Sequence, residues 1–446
     1  VTPSEAAATI ASESTKPLFG SWASFRNALN SSSPGRKSAD WGDDGTYVGY
    51  SRTGLKFADK TSRSASQSSL HRPSSTPDGQ AFQHSDWDSE NFHRKYEILN
   101  LKVVHPRNST GFEDSREIPL TIGDVIAGKY KVVDLLGQAA FSRAVQAIDV
   151  STGALVCLKI IKNNKDYFDQ SLDEVKLLQY INACDPGDEH GVLRLHDFFY
   201  YREHLILVCE LLRANLYGFG RHLKESGGEH YFTPARIKLV SKQVLGSLAF
   251  LHSLNLIHAD LKPENILIKS YSRCQVKIID LGSSCFLTDR LNVYVQSRSY
   301  RAPEVIIGLP YDQRIDVWSL GCILMELYTG RVLFQNDSLP ALLARMESIL
   351  GHVPQYMLRR GRFTYKYYCK DGNIYDRNVE TERLEWLKPK KTSLEARAAA
   401  AAAAGGGVGV VDQGMIEFIS CLLQIDPNKR PTAEEALQHP WLLHDD

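Results

Sequence analysis

The chain is 446 residues long, and its 52 acidic side chains cancel its 52 basic ones. That balance excludes a global field drawing the protein to nucleic acid or to an anionic membrane, and no apolar run reaches the ~18–20 residues needed to span a bilayer. The eight cysteines, at 157, 184, 209, 274, 285, 322, 369 and 421, form no CxxC pair, which argues for a reducing compartment, cytoplasmic or nuclear, and against structural zinc or a disulfide framework.

The first residue is Val rather than Met, as in a fragment or a processed form, so a targeting signal upstream of it is out of view. Residues 1–93 are about one-fifth serine with little apolar periodicity, a composition that predicts a disordered tail. Within it PLFGSWASF (17–25) is apolar enough to serve as a short binding segment, and phosphorylation of the serines would make it a docking tail. From about 94 the texture changes. YEILNLKVV and KYKVVDLLG are β-branched and alternate, which predicts strands. In AVQAIDVSTGALVCLKII (144–161) two more strand patterns flank Ser151-Thr152-Gly153, a hairpin turn. QSLDEVKLLQYI (170–181) sets Leu172, Val175, Leu178 and Ile181 at helical spacing, and LILVCELL (205–212) has the unbroken apolar character of a buried strand.

ARIKLVSKQVLGSLAFLHSL (235–254) and DVWSLGCILMELYTG (316–330) then read as helices. A strand-rich first part, a helix-rich second part and one apolar strand as the joint predict a two-lobed α+β fold with a cleft. ARAAAAAAAGGGVGVV (396–411) is low complexity and is predicted as a surface insertion between two helices of the second lobe.

The chemistry concentrates in LIHADLKPENILI (256–268), where a carboxylate, an ammonium and an amide sit between two apolar runs. Phosphoryl transfer asks a protein for positioning: a metal on the phosphates, a base near the acceptor hydroxyl and cations for the charge. Asp260 suits the hydroxyl, Lys262 the transferred group, and Asn265 offers a hard carbonyl oxygen to Mg2+. After the apolar strand VKII (276–279) comes Asp280-Leu281-Gly282, a carboxylate at a strand end with a glycine for a tight turn, well placed to hold a phosphate-bound metal. Either piece alone also fits a solvated loop; in this order, with a strand between them, they point to one site.

HADLKPEN, DLG, APE (302–304) and DVWSLGC (316–322) together resemble a eukaryotic protein kinase over about residues 129–444. The resemblance implies a bilobal protein kinase fold: N-lobe 129–212, C-lobe 213–446 with the insertion 396–411, preceded by the tail 1–93 and by a segment 94–128 that packs on the N-lobe and supports maturation. It implies ATP and Mg2+ as cofactors, Asp260 as catalytic base with Lys262 beside it, and Asn265 and Asp280 as metal ligands. Lys159 would hold the α- and β-phosphates and Glu174 would pair with it. Glu304 is expected to pair with Arg430, and Asp316 to brace the catalytic loop. His258 is expected to be a packed core residue.

Residue by residue, duller readings stand beside these: Lys159 as a solvent-facing strand lysine, and Glu174 as the capping-box partner of Ser171 at a helix start. In the phosphate loop, LGQAAFSRAVQA (136–147), only Gly137 survives, with Ala139 and Ser142 where glycines usually stand. Small side chains let backbone N–H groups approach phosphate but disfavour positive φ, so nucleotide binding is expected to be weaker but working, with Phe141 over the phosphates. Val145, Cys157, Cys209, Glu210, Leu212 and Leu267 are expected around the adenine, Cys209 as gatekeeper, Glu210 and Leu212 in the hinge whose backbone bonds the adenine edge, and Cys157 and Leu267 as the slices above and below the ring.

NVYVQSRSYRAPEV (292–305) narrows the resemblance to the dual-specificity, tyrosine-regulated kinases (DYRK) of the CMGC group, and the altered phosphate loop to that family's plant-type branch. This implies Ser/Thr phosphorylation of protein substrates, often near Pro and Arg, with self-phosphorylation at Tyr294; Asn292 replaces the first tyrosine of the usual pair. Ala259 stands where many kinases carry an arginine that grips an activation-loop phosphate. Arg298 and Arg301 are expected to take over that task for Tyr294, against the alternative of ordinary surface salt bridges. A monomer acting on proteins, with no nucleic acid and no membrane, is the expectation. The rivals are a pseudokinase scaffold, and a recruitment module in which the tail does the work.

Overall fold

The computed structural model describes residues 97–108, 115–227, 231–289, 294–335, 338–378, 381–388, 390–403 and 411–444. The serine-rich tail, its PLFGSWASF segment and Asn292 lie outside the described residues. The chain divides into two units: 35–102, of which residues 97–102 are described as extended, mostly exposed chain, and a second unit holding the rest.

β1 (Lys102–Val104), β2 (Val125–Ile126), β3 (Tyr130–Gln138), β4 (Ser142–Asp149), β5 (Leu155–Ile161), β6 (Leu195–Tyr201) and β7 (His204–Glu210) form one sheet, in the spatial order β1-β6-β7-β5-β4-β3-β2. Of YEILNLKVV only the last three residues are strand. The β4–β5 turn falls where the sequence places it, with Gly153 at φ 75°. Period two decides which side chains the sheet buries: on β4, Val145 and Ala147 are sealed while Ala144 and Gln146 are only half-buried.

The lobe's helix, α1 (Lys165–Cys184), begins at 165 rather than 170. Asn164 caps it, its side-chain oxygen accepting from the N–H groups of Asp166 and Tyr167 at 2.9 and 3.2 Å. Ser171 and Glu174 therefore lie inside the helix, and the capping-box reading of that pair is wrong. Glu174, Val175, Leu178 and Ile181 form the buried face.

The second part is helical: α2 (Leu216–Glu225), α3 (Pro234–Ser253), α4 (Pro303–Ile307), α5 (Arg314–Thr329), α6 (Leu339–Leu350), α7 (Gln355–Arg360), α8 (Leu394–Ala403), α9 (Gln413–Leu422), α10 (Ala433–Leu437) and α11 (Pro440–Leu443). Thr233 caps α3, with Pro234 at its first position, where a missing N–H is harmless. α5 is apolar on nearly every face because it runs through the core, where Trp318 stacks on Phe334 with centroids 5.8 Å apart. Short antiparallel pairs complete the lobe: β8 (Leu256–Ile257) with β11 (Cys285–Phe286), β9 (Ile266–Ser270) with β10 (Gln275–Ile278), and β12 (Tyr375–Arg377) with β13 (Leu384–Trp386). The architecture is the expected two-lobed α+β fold.

The alanine run departs from expectation. Its first part is α8, whose Leu394, Ala398 and Ala401 are buried against α5 and α9; methyl side chains let the helices approach closely. Residues 404–410 lie outside the described residues. Among the described residues no helix is long and apolar enough to cross a membrane.

Candidate active site

The site is assembled from both lobes. β5 carries Lys159 and α1 carries Glu174; the Nζ lies 2.8 Å from each carboxylate oxygen. The same ammonium lies 3.5 Å from the carboxylate of Asp280, just past β10. Burial alone would strip the Lys159 proton, but the Glu174 and Asp280 charges outweigh it and hold the amine protonated. Burial alone would raise the Asp280 carboxyl; Lys159, His258 and Lys262 override that and hold it low. The reading of Lys159 as a solvent-facing lysine therefore fails.

The catalytic loop between β8 and β9 hangs from Asp316 at the start of α5. Its Oδ2 accepts from the His258 N–H and its Oδ1 from the Ala259 N–H, both at 2.9 Å, and the whole residue is buried. His258 is sealed in the core, its Nε2 3.1 Å from the Ile279 carbonyl. Ala259 is also fully buried and sits at φ 64°, while Asp280 and Gln296 stand at 66° and 67°. Left-handed backbone costs a non-glycine residue roughly 1–2 kcal/mol, and here three such residues surround one loop, as at other functional sites. The Gln296 N–H, donating to the Ala259 carbonyl at 2.8 Å, ties the downstream segment to it.

Around Asp260 the polar groups converge. Its Oδ2 accepts from Lys262 Nζ at 2.6 Å, and its Oδ1 accepts from the Ser297 N–H at 2.9 Å and the Ser297 hydroxyl at 2.8 Å. Asn265 donates through Nδ2 to the Asp260 carbonyl at 2.9 Å, which fixes the amide and leaves its Oδ1 to an outside ligand. Further down, Arg430 grips Glu304 through two bonds of 2.6 and 3.0 Å, both residues sealed.

Of the expected adenine residues, Cys157 and Cys209 are direct partners across β5 and β7, on the face that carries Lys159. Burial pushes the Cys157 thiol up to about 11 and raises Cys209 too. Leu212 is buried and Leu267 lies on β9. Val145 is a correction. It pairs with Leu158 and is sealed in the N-lobe core, whereas Ala144 pairs with Lys159 and shares its face. The residue toward the cleft is Ala144, and the cross-strand register of β4 on β5 is what decides it. Gly137 is the last residue but one of β3, and no residue from 137 to 142 has positive φ, so the turn closes without the left-handed residues whose loss was expected to weaken it. Phe141 lies over it, its ring 5.7 Å from Lys159 Nζ.

Three contacts escaped the sequence. Gln170 donates to the Gly282 carbonyl at 3.2 Å, latching α1 to the Asp280 turn. The Ser297 hydroxyl joins Asp260. Behind the hinge, Lys277 of β10 lies 2.5 Å from both Asp188 and Glu210, and Glu210 also accepts from the Arg194 N–H at 2.8 Å. The activation segment places Tyr294 66% exposed with its ring 4.0 Å from the Arg301 guanidinium. Partial burial would raise the phenol; hydrogen bonds and charge from Arg298 and Arg301 lower it below its usual range. Arg301 is itself buried, donating to the Val295 and Gln296 carbonyls at 2.8 and 2.6 Å, so it is no surface salt bridge.

A lysine clamped to a helix glutamate, a carboxylate beyond a strand and a braced Asp–Lys–Asn loop, spread over two lobes, define a protein kinase. The family described as Protein kinase domain matches residues 130–442. Similar proteins include "Probable serine/threonine-protein kinase dyrk2" of Dictyostelium discoideum, 38% identical over 334 residues, covering 74% of this chain and 34% of the relative. "DYRK-family kinase pom1" of Schizosaccharomyces pombe is 38% identical, with 74% and 29% covered, and "Dual specificity tyrosine-phosphorylation-regulated kinase 4" of Homo sapiens 33% identical, with 75% and 62% covered. The chain thus spans about a third of the length of the first two. It belongs to the protein kinase family and, within that, to the DYRK family of the CMGC group.

Proposed function

We propose that this chain is an ATP-dependent protein kinase that phosphorylates Ser and Thr of protein substrates and phosphorylates its own Tyr294. The observation that carries the reading is the convergence of Lys159, Glu174 and Asp280 from two lobes, above Asp260, Lys262 and Asn265. The donor set fits Mg2+: Asp280 and the free Oδ1 of Asn265 are hard oxygens, and no soft ligand stands among them. Held there by Asp280 and Asn265, the metal would supply positive charge against that of the transferred group. Lys159, kept protonated, would hold phosphate oxygens. Asp260, held at both oxygens, would orient the acceptor hydroxyl and take its proton; Lys262 would lie against the transferred phosphoryl.

Because the phosphate loop closes with no left-handed residue, its missing glycines give no backbone reason for weakened nucleotide binding. The scaffold alternative finds no support, because every charged group the transfer needs is present and oriented.

Protein substrates follow from the family. Preference for a basic residue near the acceptor is supported by two carboxyls under the loop: Glu264, whose Oε2 is buried without a hydrogen-bond partner among the described residues, and Glu326, which accepts from the Tyr300 hydroxyl at 2.7 Å. We take the working layout as tail 1–93, pre-kinase segment 94–128, N-lobe 129–212 and C-lobe 213–446, acting as a monomer. Glu117, paired with Arg143 at 2.6 Å and Lys162 at 2.9 Å, and buried Ile118 support a stabilising role for the segment on the N-lobe.

Transfer of radiolabelled phosphate from ATP to a protein substrate by the wild type, and its loss by about a thousandfold in Asp260→Asn, is the expected result. Equal labelling by both proteins would overturn the reading.

A further inference from the structure

The chain is neutral as a whole, yet residues 356–391 carry ten basic against five acidic side chains. The acids among the described residues are engaged locally. Asp371 accepts from Cys369 and Asn373, Asp376 from Ser338, and Glu385 from Asn378, while Glu382 pairs with Arg377 at 3.3 Å. The other nine cations make no ion pair or side-chain hydrogen bond among the described residues. Arg359, Arg360, Arg362 and Lys366 are all exposed, within eight residues, so the segment holds a concentrated and unneutralised positive charge.

This charge adjoins the ground on which a substrate would lie. The Phe363 N–H donates to the Ile307 carbonyl at 2.9 Å, and the Phe363 ring covers Gly308, where a β-carbon would come within 2.6 Å of it. Thus the basic run is anchored to the end of α4, the helix that opens with Ala302-Pro303-Glu304. Tyr367, just beyond, lies within electrostatic reach of Arg301 and Tyr294. Exposed aromatics line the same surface: Tyr365 is 69% and Trp386 57% exposed, joined through Tyr375, whose hydroxyl bonds the Tyr365 carbonyl at 2.6 Å and whose ring meets Trp386 edge-on at 6.5 Å. Amphipathic rings among cations that pair with no carboxylate of the described residues, Lys366 lying 4.8 Å from the centroid of the Phe363 ring, form a binding surface for an anionic chain.

We propose that the surface of Arg359, Arg360, Arg362 and Lys366, flanked by Tyr365 and Trp386, docks an acidic stretch of the protein substrate. The inference rests on the kinase reading. A polypeptide is favoured over nucleic acid because the patch is continuous with the platform that would present a peptide to Asp260.

The test uses the full chain and a serine peptide flanked by Arg and Pro, extended on either end by six Glu, six Gly or six Lys. On at least one end the Glu extension is expected to lower KM about tenfold relative to Gly, with kcat unchanged. The advantage should vanish near 1 M salt and in R359E/R360E/R362E, whose turnover of the Gly-extended peptide stays at the wild-type value. Equal KM for Glu and Gly extensions on both ends overturns the proposal. So does a single-stranded RNA oligomer that binds more tightly than the Glu peptide and loses its binding in the triple variant. Anisotropy of a labelled Glu-extended peptide reads docking without turnover. Failure of every peptide to be phosphorylated would therefore count against the kinase reading alone.

Discussion

Two lysines, the half-buried Lys159 and the sealed Lys277, each sit between two carboxylates. Lys159 keeps 20% of its side chain exposed and holds Glu174 at 2.8 Å and Asp280 at 3.5 Å; Lys277 keeps 3% and holds Asp188 and Glu210 both at 2.5 Å, with the Val192 carbonyl at 3.3 Å. The first opens to a cleft, where a phosphate oxygen can join the ammonium. The second is closed on every side, and Glu210 is spoken for by a backbone N–H as well. Identical charges therefore do different work: an exposed edge makes a ligand site, and a sealed one makes a strut joining the loop at Asp188, the hinge and β10.

The sharpest way to break that comparison is to remove each ammonium in turn. In Lys159→Met, phosphoryl transfer is expected to fall about a thousandfold, while cleft water relieves the partly exposed Asp280, the sealed Glu174, already raised by burial, takes up a proton, and the melting temperature moves by a few degrees. In Lys277→Met, Glu210 loses its counter-charge while Asp188 keeps Lys269 at 3.3 Å and Arg194 at 3.8 Å, so the cost is about 3 kcal/mol, or several degrees in melting temperature, with kcat within a few-fold of wild type. Calorimetry and steady-state kinetics on both variants decide it. A Lys277→Met protein that keeps its melting temperature but loses its turnover would show the strut to be a catalytic group instead.

The same contrast explains what the sequence disclosed. Asp260, Lys262, Asn265 and Asp280 were legible because a loop and one hairpin hold them close along the chain, and Lys159 with Glu174 because their order relative to that loop is fixed. The strut was not, because three distant elements meet only in the fold: Lys277 and Asp188 each alone read as a surface charge, and Glu210 was expected only beside the adenine. Val145 failed for a smaller reason: in a strand an error of one residue turns the side chain to the other face. The start of α1 slipped because Asn164 lies upstream of the apolar periodicity, where a cap leaves no hydrophobic mark. The alanine run looked like an insertion because a buried face built from methyl groups carries no amphipathic signal.

Arg301 sharpens the comparison from the cation's side. It too is buried, but carbonyl oxygens hold it, so its charge remains free for the Tyr294 ring above it and for a phosphate there. Tyr294→Phe keeps the ring stack and removes the phosphate acceptor. Peptide mapping of the wild type is expected to find phosphate on Tyr294, and the variant to lose about tenfold in kcat/KM toward a peptide. Fully active wild-type enzyme with unmodified Tyr294 would remove the arginines' assigned role.

Glu326 and Glu264 present the converse case, two carboxyls with no lysine between them. Burial pushes Glu326 up to about 7; the Tyr300 hydroxyl opposes this and the Glu264 charge adds to it, with Cys322 also facing the group. A carboxyl that holds its proton more tightly in the folded chain stabilises the fold fully below its unfolded value near 4.5, and that stabilisation is lost as pH rises through 7. Glu326→Gln stays neutral throughout and can still accept the Tyr300 hydrogen bond through its amide oxygen. Its melting temperature is therefore expected to match wild type near pH 5 and to exceed it by a few degrees at pH 8, after allowing for partial solvent screening. A difference that stays constant between pH 5 and pH 8 would mean that Glu326 is ionised throughout, with a cation or water already standing where the arginine of a substrate is proposed to bind.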